Sequence, residues 1–234
     1  LASLLIDSGA DLNLRNGKGF TALIHACKSG KKDIFNKLLD AGADVNIGDA
    51  MGVTPLMYMA TDHGHRNFFT DEVKHIISCG ADVNVCDANG KTALMRWSGD
   101  VNDINEYNLL CERDTTDTSD VLNIILEAGA DIHARDNTGN TVLSRALSYG
   151  VVDVSVLYKY GADAHTRDND GNTSLMKIFS PSNGKRVIST EKELNDLLSR
   201  GVPADAIDKE GKNVLHYTLE WHCKPKMLER LIQA

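Results

Sequence analysis

The chain has 234 residues, a formal net charge of −8, 42% hydrophobic residues and 25% charged residues, values that fit a globular protein and exclude a disordered or fibrous one. No apolar run approaches the roughly 20 residues of a membrane-crossing helix, and the acidic balance argues against bulk attraction to nucleic acid or anionic lipid. Cys27, Cys79, Cys86, Cys111 and Cys223 are odd in number and form no CxxC pair; this argues against a disulfide framework or a zinc ribbon and fits a reducing, cytoplasmic compartment.

The N-terminal LASLLIDSG lacks an initiator Met and a basic leader, and it reads as the end of an amphipathic helix followed by a glycine stop. From there a short motif returns along the chain: SGADLN, AGADVN, CGADVN, AGADIH, YGADAH and a degraded RGVPAD, with glycines at Gly9, Gly42, Gly80, Gly129, Gly161 and Gly201. Ten residues after each comes a second motif: GFTALI, GVTPLM, GKTALM, GNTVLS, GNTSLM and GKNVLH. Three residues before each second motif stands Asn16, Asp49, Asp87, Asp136, Asp168 or Asp208. Short polar side chains next to Gly are turn chemistry, because they bond nearby backbone while Gly accepts positive φ.

After each turn the pattern predicts a short helix that its Thr can cap, as over 21–28, 54–61 and 141–148, with Pro55 suited to a first turn. A second amphipathic helix then ends on paired aliphatics and a glycine, as in IFNKLLDAG, VKHIISCG, VLNIILEAG, VSVLYKYG and LNDLLSRG. The repeating block is turn, helix, helix.

These motifs resemble the ankyrin repeat family, whose pattern is D-x-x-G-x-T-P-L-H, a helix pair, then L-L-x-x-G-A-D-V-N. The family His survives at His216 and is replaced by Ile24, Met57, Met95, Ser144 and Met176; the family Pro survives at Pro55. The resemblance implies an all-α solenoid of stacked helix-turn-helix repeats with β-hairpin-like finger turns. In one domain over 1–234 it gives a partial repeat at 1–15, full repeats at 16–48, 49–86, 87–135, 136–167 and 168–207, and a partial repeat at 208–234. Glycine-to-glycine spacings of 33, 38, 49, 32 and 40 residues put insertions between the helices near 62–70, 99–118 and 181–190, where loop closure grows only slowly in cost with length. Both termini read as second helices without polar caps, so further repeats or a longer parent protein are expected.

No catalytic, cofactor or metal constellation emerges. His63, His65 and His75, and separately His216, His222 and Cys223, fit repeat positions better than a ligand set. DTTDTSD, from 114 to 120, lacks the Gly and bidentate Glu of a calcium loop. GKGFT is not a P-loop, and GxSxG and HExxH are absent. The chain therefore reads as a non-enzyme with no small-molecule substrate.

Family resemblance implies partner binding on the hollow side of the stack, formed by the fingers and first helices. Reading those positions yields the cations Lys18, Lys28, Lys91, Arg96, Arg145, Lys177, Lys209 and Lys212 against Asp62, Asp100, Asp170, Glu210 and Glu220, a mildly positive face. Phe20, Met51, Tyr58, Tyr149, Tyr217 and Trp221 fall on the same positions, and aromatics beside Arg are common interface anchors. The expected partner is a protein or acidic peptide, and charge reversal at Arg96, Arg145 and Lys177 is expected to spare the melting temperature. The 99–118 insertion offers a second surface through Asp103, Glu106, Tyr107, Glu112, Asp114 and Asp117. The drift from T-P-L-H to T-x-L-M also resembles divergent microbial repeats. It leaves open the targeting or regulatory arm of a larger enzyme, such as a bacterial effector acting in a host cytosol. The G-A-D-x-N asparagines Asn13, Asn46 and Asn84 read as braces of their turns.

Overall fold

The computed structural model describes residues 4, 6, 8–60, 70–98, 115–149, 153–180, 191–220 and 225–233. The chain divides into two compact units, Leu1–Asp131 and Ile132–Ala234. Among the described residues all regular structure is helical, with one isolated antiparallel bridge between Arg167 and Thr173.

Among the described residues the first unit shows three helix pairs: α1 (Ala22–Lys28) with α2 (Lys32–Asp40), α3 (Pro55–Ala60) with α4 (Thr70–Ser78), and α5 (Ala93–Trp97) with α6 (Thr115–Glu127). First helices pack on first helices, α1 on α3 and α3 on α5, while α2 packs on α4 and α4 on α6. The second unit holds α7 (Val142–Tyr149) with α8 (Val154–Lys159), α9 (Ser174–Phe179) with α10 (Glu191–Ser199), and α11 (Val214–Glu220) with α12 (Pro225–Gln233); α9 packs on both α7 and α11. Helix α6 starts at Thr115, so the last residues of the expected 99–118 insertion are helical.

Local chemistry explains the boundaries. The Thr21 hydroxyl accepts from the Ile24 amide at 3.2 Å, and Thr92, Thr141 and Thr173 repeat the cap at 3.3–3.4 Å. Each such cap contributes about 1 kcal/mol. Where the family His is lost, Met57, Met95 and Met176 each lie 1% exposed and fill the core instead. At the other end of α2, the Gly42 amide donates to the Leu39 carbonyl and the Ala43 amide to the Leu38 carbonyl, both at 2.9 Å, with Gly42 at φ +81°. This left-handed closure satisfies two orphan carbonyls, and it recurs after α4, α6, α8 and α10.

Leu23, Ile24, Phe35, Leu38, Leu56 and Ile76 form the deepest layer of the first unit, each no more than 1% exposed. Burial of each such side chain contributes roughly 1.5–3 kcal/mol. Asparagines tie successive repeats together. The Asn46 side chain donates to the Gly80 carbonyl at 2.9 Å and accepts from the Asp82 amide at 2.8 Å, and Asn84 does the same with Gly129 and Asp131 at 3.0 and 2.8 Å. In the second unit His165 takes this place, its Nε2 3.1 Å from the Arg200 carbonyl.

Gly139 illustrates how tightly adjacent fingers approach. Its φ is +79°, and a Cβ placed there would stand 2.7 Å from the Asn169 amide nitrogen, which donates to the Thr138 carbonyl. Gly161 has φ +87° with nothing within 4 Å of such a Cβ. Urea unfolding should therefore show Gly161→Ala losing about 1 kcal/mol and Gly139→Ala at least about 2 kcal/mol; equal losses would contradict this packing.

Candidate functional site

Five of the six finger turns are organised by one carboxylate each, at Asp49, Asp87, Asp136, Asp168 and Asp208. Asp136 Oδ1 accepts from the amides of Thr138 and Asn140, both at 2.9 Å. The same two bonds, to the second and fourth residues on, recur at Asp49, Asp87, Asp168 and Asp208 at 2.8–2.9 Å. Asn16 reproduces them through its amide oxygen, with Lys18 at 2.9 Å and Phe20 at 3.0 Å, and so builds the same turn without a charge.

The second oxygen faces the first helix. Helical side chains lean toward the N-terminus, so the residue nine after the turn Asp, one turn into the helix, reaches back over the finger. Tyr58 donates to Asp49 Oδ2 at 2.6 Å, and Tyr217 to Asp208 Oδ2 at 2.6 Å. Arg96 pairs with Asp87, Arg145 with Asp136 at 3.0 Å, and Lys177 with Asp168 at 2.5 Å. Arg96 and Arg145 are 7% exposed, and the carboxylates facing them are 0% and 3% exposed.

This overturns one sequence expectation. Arg96 and Arg145 are not exposed anchors; they are buried halves of ion pairs, and Lys177 is largely buried in a third. The side is less positive than its cations alone imply, because the turn aspartates cancel three of them. A sequence signal was present and passed over: the ninth residue after each turn Asp or Asn is a side chain able to donate, namely His25, Tyr58, Arg96, Arg145, Lys177 and Tyr217.

The remaining predicted residues separate into groups. Lys18 and Met51 are exposed, with Met51 at 52%, while Phe20, Tyr58, Lys91, Tyr149 and Tyr217 are half-buried. Phe20 meets Tyr58 edge to face at 5.8 Å between ring centres and His25 at 6.4 Å, and Lys28 Nζ lies 5.1 Å from the Phe20 centroid. In the second unit the Arg145 guanidinium lies 5.6 Å from the Tyr149 ring, and Lys212 pairs with Glu210 and Glu220 at 3.1 and 3.5 Å. Trp221, Asp103, Glu106, Tyr107, Glu112 and Asp114 lie outside the described residues, as do His63, His65, His222 and Cys223; Asp117 belongs to α6. Among the described residues no group of three His, Cys, Asp or Glu is placed to hold a metal ion.

The carboxylate clamps set proton affinities. Burial, the largest influence on Asp168, pushes its pKa upward, but hydrogen bonds from Lys177 and Asn172 and the Lys177 charge outweigh it and hold the group below the ordinary carboxylate value. Asp208 is likewise held low, burial being outweighed by bonds from Tyr217 and the Lys212 and Glu210 amides. Burial, then the bond to the carboxylate, raises Tyr58 and Tyr217 above the ordinary phenol value.

A folded carboxyl pKa below the unfolded value contributes stability that is present above the unfolded pKa, near 4, and is lost as pH falls through the folded one. In Lys177→Met the burial influence remains without its cation, so a carbon-13 titration should show the Asp168 midpoint rise relative to wild type. Removing one partner of a buried pair costs about 3–5 kcal/mol. Arg145→Glu should therefore lower the melting temperature by roughly 6–20 °C, against about 1–2 °C or less for Lys18→Glu on the surface. Equal melting of the two variants would contradict the clamp.

Residues 1–70 match the family model described as ankyrin repeats, in 3 copies. No curated protein matches the chain. The turn, the capped first helix, the second helix and the glycine closure described above recur beyond residue 70 in the same order. Residues 1–70 thus match ankyrin repeats, and the described residues beyond them form helical repeats in the same order.

Proposed function

We propose that this chain is a non-catalytic protein-binding module, which presents its hairpin-like fingers and first helices, the side expected to be hollow in a stack of repeats, to a protein or acidic peptide. Ankyrin repeats generally mediate protein–protein interaction. The observation that carries the reading is the state of the side chains on this side of the repeats. Phe20 and Tyr58 are half-exposed rings locked edge to face across adjacent repeats, and the exposed Met51 sits on the finger turn between them in sequence.

The Tyr58 hydroxyl is committed to Asp49, so its ring is held before any partner arrives. Holding anchors in place beforehand removes ordering entropy from the binding step. Function then rests on rigid display, with affinity from a few large side chains and orientation from charge. The residues proposed are Lys18, Phe20, Met51, Tyr58 and Lys91 in the first unit and, separately, Tyr149, Lys212 and Tyr217 in the second, without Arg96, Arg145 and Lys177; Trp221 lies outside the described residues. The acidic 99–118 segment is proposed as a secondary contact for a basic surface. Service as the arm of a larger enzyme would use the same surface.

The test is partner capture from lysate followed by isolation of the captured protein and direct titration. Met51→Glu, alone and with Phe20→Ala, should weaken the purified partner at least tenfold, while Met51→Glu leaves melting within about 2 °C. Undiminished affinity in both variants would refute this surface.

A further inference from the structure

Lys91 is half-buried, and the other seven cations on the finger and first-helix side fall into two classes once their partners are known. Arg96, Arg145 and Lys177 are consumed by turn carboxylates, and Lys212 lies between Glu210 and Glu220. Lys209, exposed, adjoins Glu210 in the same acid-rich repeat. Lys18 and Lys28 differ. Both are exposed, and among the described residues neither has an ion-pair partner.

Two features of the sequence create that exception. The turn of repeat 16–48 is built by Asn16 in place of Asp, so the bonds that shape the finger bring no negative charge with them. In addition, no carboxylate occurs between Asp11 and Asp33, a stretch that holds Arg15, Lys18, Lys28, Lys31 and Lys32. The equivalent positions change sign along the chain. Where this repeat has Lys18, the later ones have Met51, Asn89, Thr138, Asp170 and Glu210; where it has Lys28, the last has Glu220.

The charge of Lys28, without an ion-pair partner among the described residues, borders an apolar platform. Lys28 Nζ stands 5.1 Å from the centroid of Phe20, whose edge contacts Tyr58 of the next repeat at 5.8 Å and His25 at 6.4 Å. A cation above an aromatic face is held in place while keeping donors for an anion. Half-buried rings beside ammonium groups that have no carboxylate partner among the described residues recognise a segment that alternates carboxylates with apolar side chains, because each half of the surface offers what the other lacks.

We infer that repeat 16–48 carries a docking surface for an acidic peptide segment, with an apolar side chain seated on Phe20 and Tyr58 and carboxylates facing Lys18 and Lys28. This rests on the binding-module reading above and names the repeat, the chemistry and the polarity of the partner. The turn residue Asn16 is its positioning element, since an Asp there would return a carboxylate to the site.

The test is selection of a displayed library of random dodecapeptides on the immobilised full chain, wild type and Lys18→Glu/Lys28→Glu in parallel. Wild type should enrich sequences rich in Asp and Glu around a Leu, Ile or Phe. Those peptides should lose at least tenfold affinity for the double variant, and the double variant should itself enrich Lys- and Arg-rich sequences. Both substitutions are on exposed side chains, and matching melting curves verify the fold. Asn16→Asp, which preserves the turn, should weaken the same peptides severalfold. Acidic peptides indifferent to the charge swap, or a random dodecanucleotide that binds as tightly as the peptides, would overturn the inference. Non-acidic peptides that are lost in Met51→Glu would overturn it while leaving the proposed function standing, and peptides indifferent to both sets of substitutions would sink both.

Discussion

A buried or half-buried carboxylate at the root of five of the six fingers, gripped on both oxygens, is the constraint on which the rest of the architecture depends. One oxygen of Asp136 shapes the turn through the Thr138 and Asn140 amides, and the other holds Arg145 in the helix that follows. The geometry repeats at Asp49, Asp87, Asp168 and Asp208 with Tyr, Arg, Lys and Tyr as the second partner. Because the helical residue leans back toward its own N-terminus, a single side chain fixes the angle between finger and helix. Loss of either member leaves a buried polar group without compensation, a larger penalty than the pair's own net contribution.

That constraint decides which charges are available to a partner. A formal count of cations on the finger side suggests a positive surface throughout, but four of the eight, Arg96, Arg145, Lys177 and Lys212, are paired with carboxylates. What survives is concentrated where the turn residue is Asn16, next to the Phe20 and Tyr58 rings. Asn at the turn leaves the finger of repeat 16–48 without the internal carboxylate that Asp supplies in the later ones.

Most of the fold was legible in the sequence because its determinants are local. Gly42 and its equivalents, the Thr21 and Thr173 caps, and the paired aliphatics before each glycine act within a few residues, so spacing alone identifies them. The asparagine braces were half legible: Asn46 was read as steadying its own turn, whereas its amide bonds Gly80 and Asp82 of the following repeat. Arg96 and Arg145 were misread because exposure depends on side-chain direction, and composition carries no direction. The ninth-residue donor pattern was visible, but it has meaning only after the backward lean of the helical side chain is taken into account. The start of α6 at Thr115 was hidden by its acidic, Thr-rich first turn, which by composition resembles solvated loop.

The most direct test of the clamp is a double-mutant cycle between Asp87 and Arg96 by urea unfolding, using Asp87→Asn, Arg96→Met and the pair together. A coupling of about 2 kcal/mol or more, with the double variant more stable than the sum of the single losses, is the result expected of a buried pair that fixes the finger to its helix. A coupling within about 0.5 kcal/mol of zero would mean that the two side chains act independently, and the division between structural and available charge would fall with it.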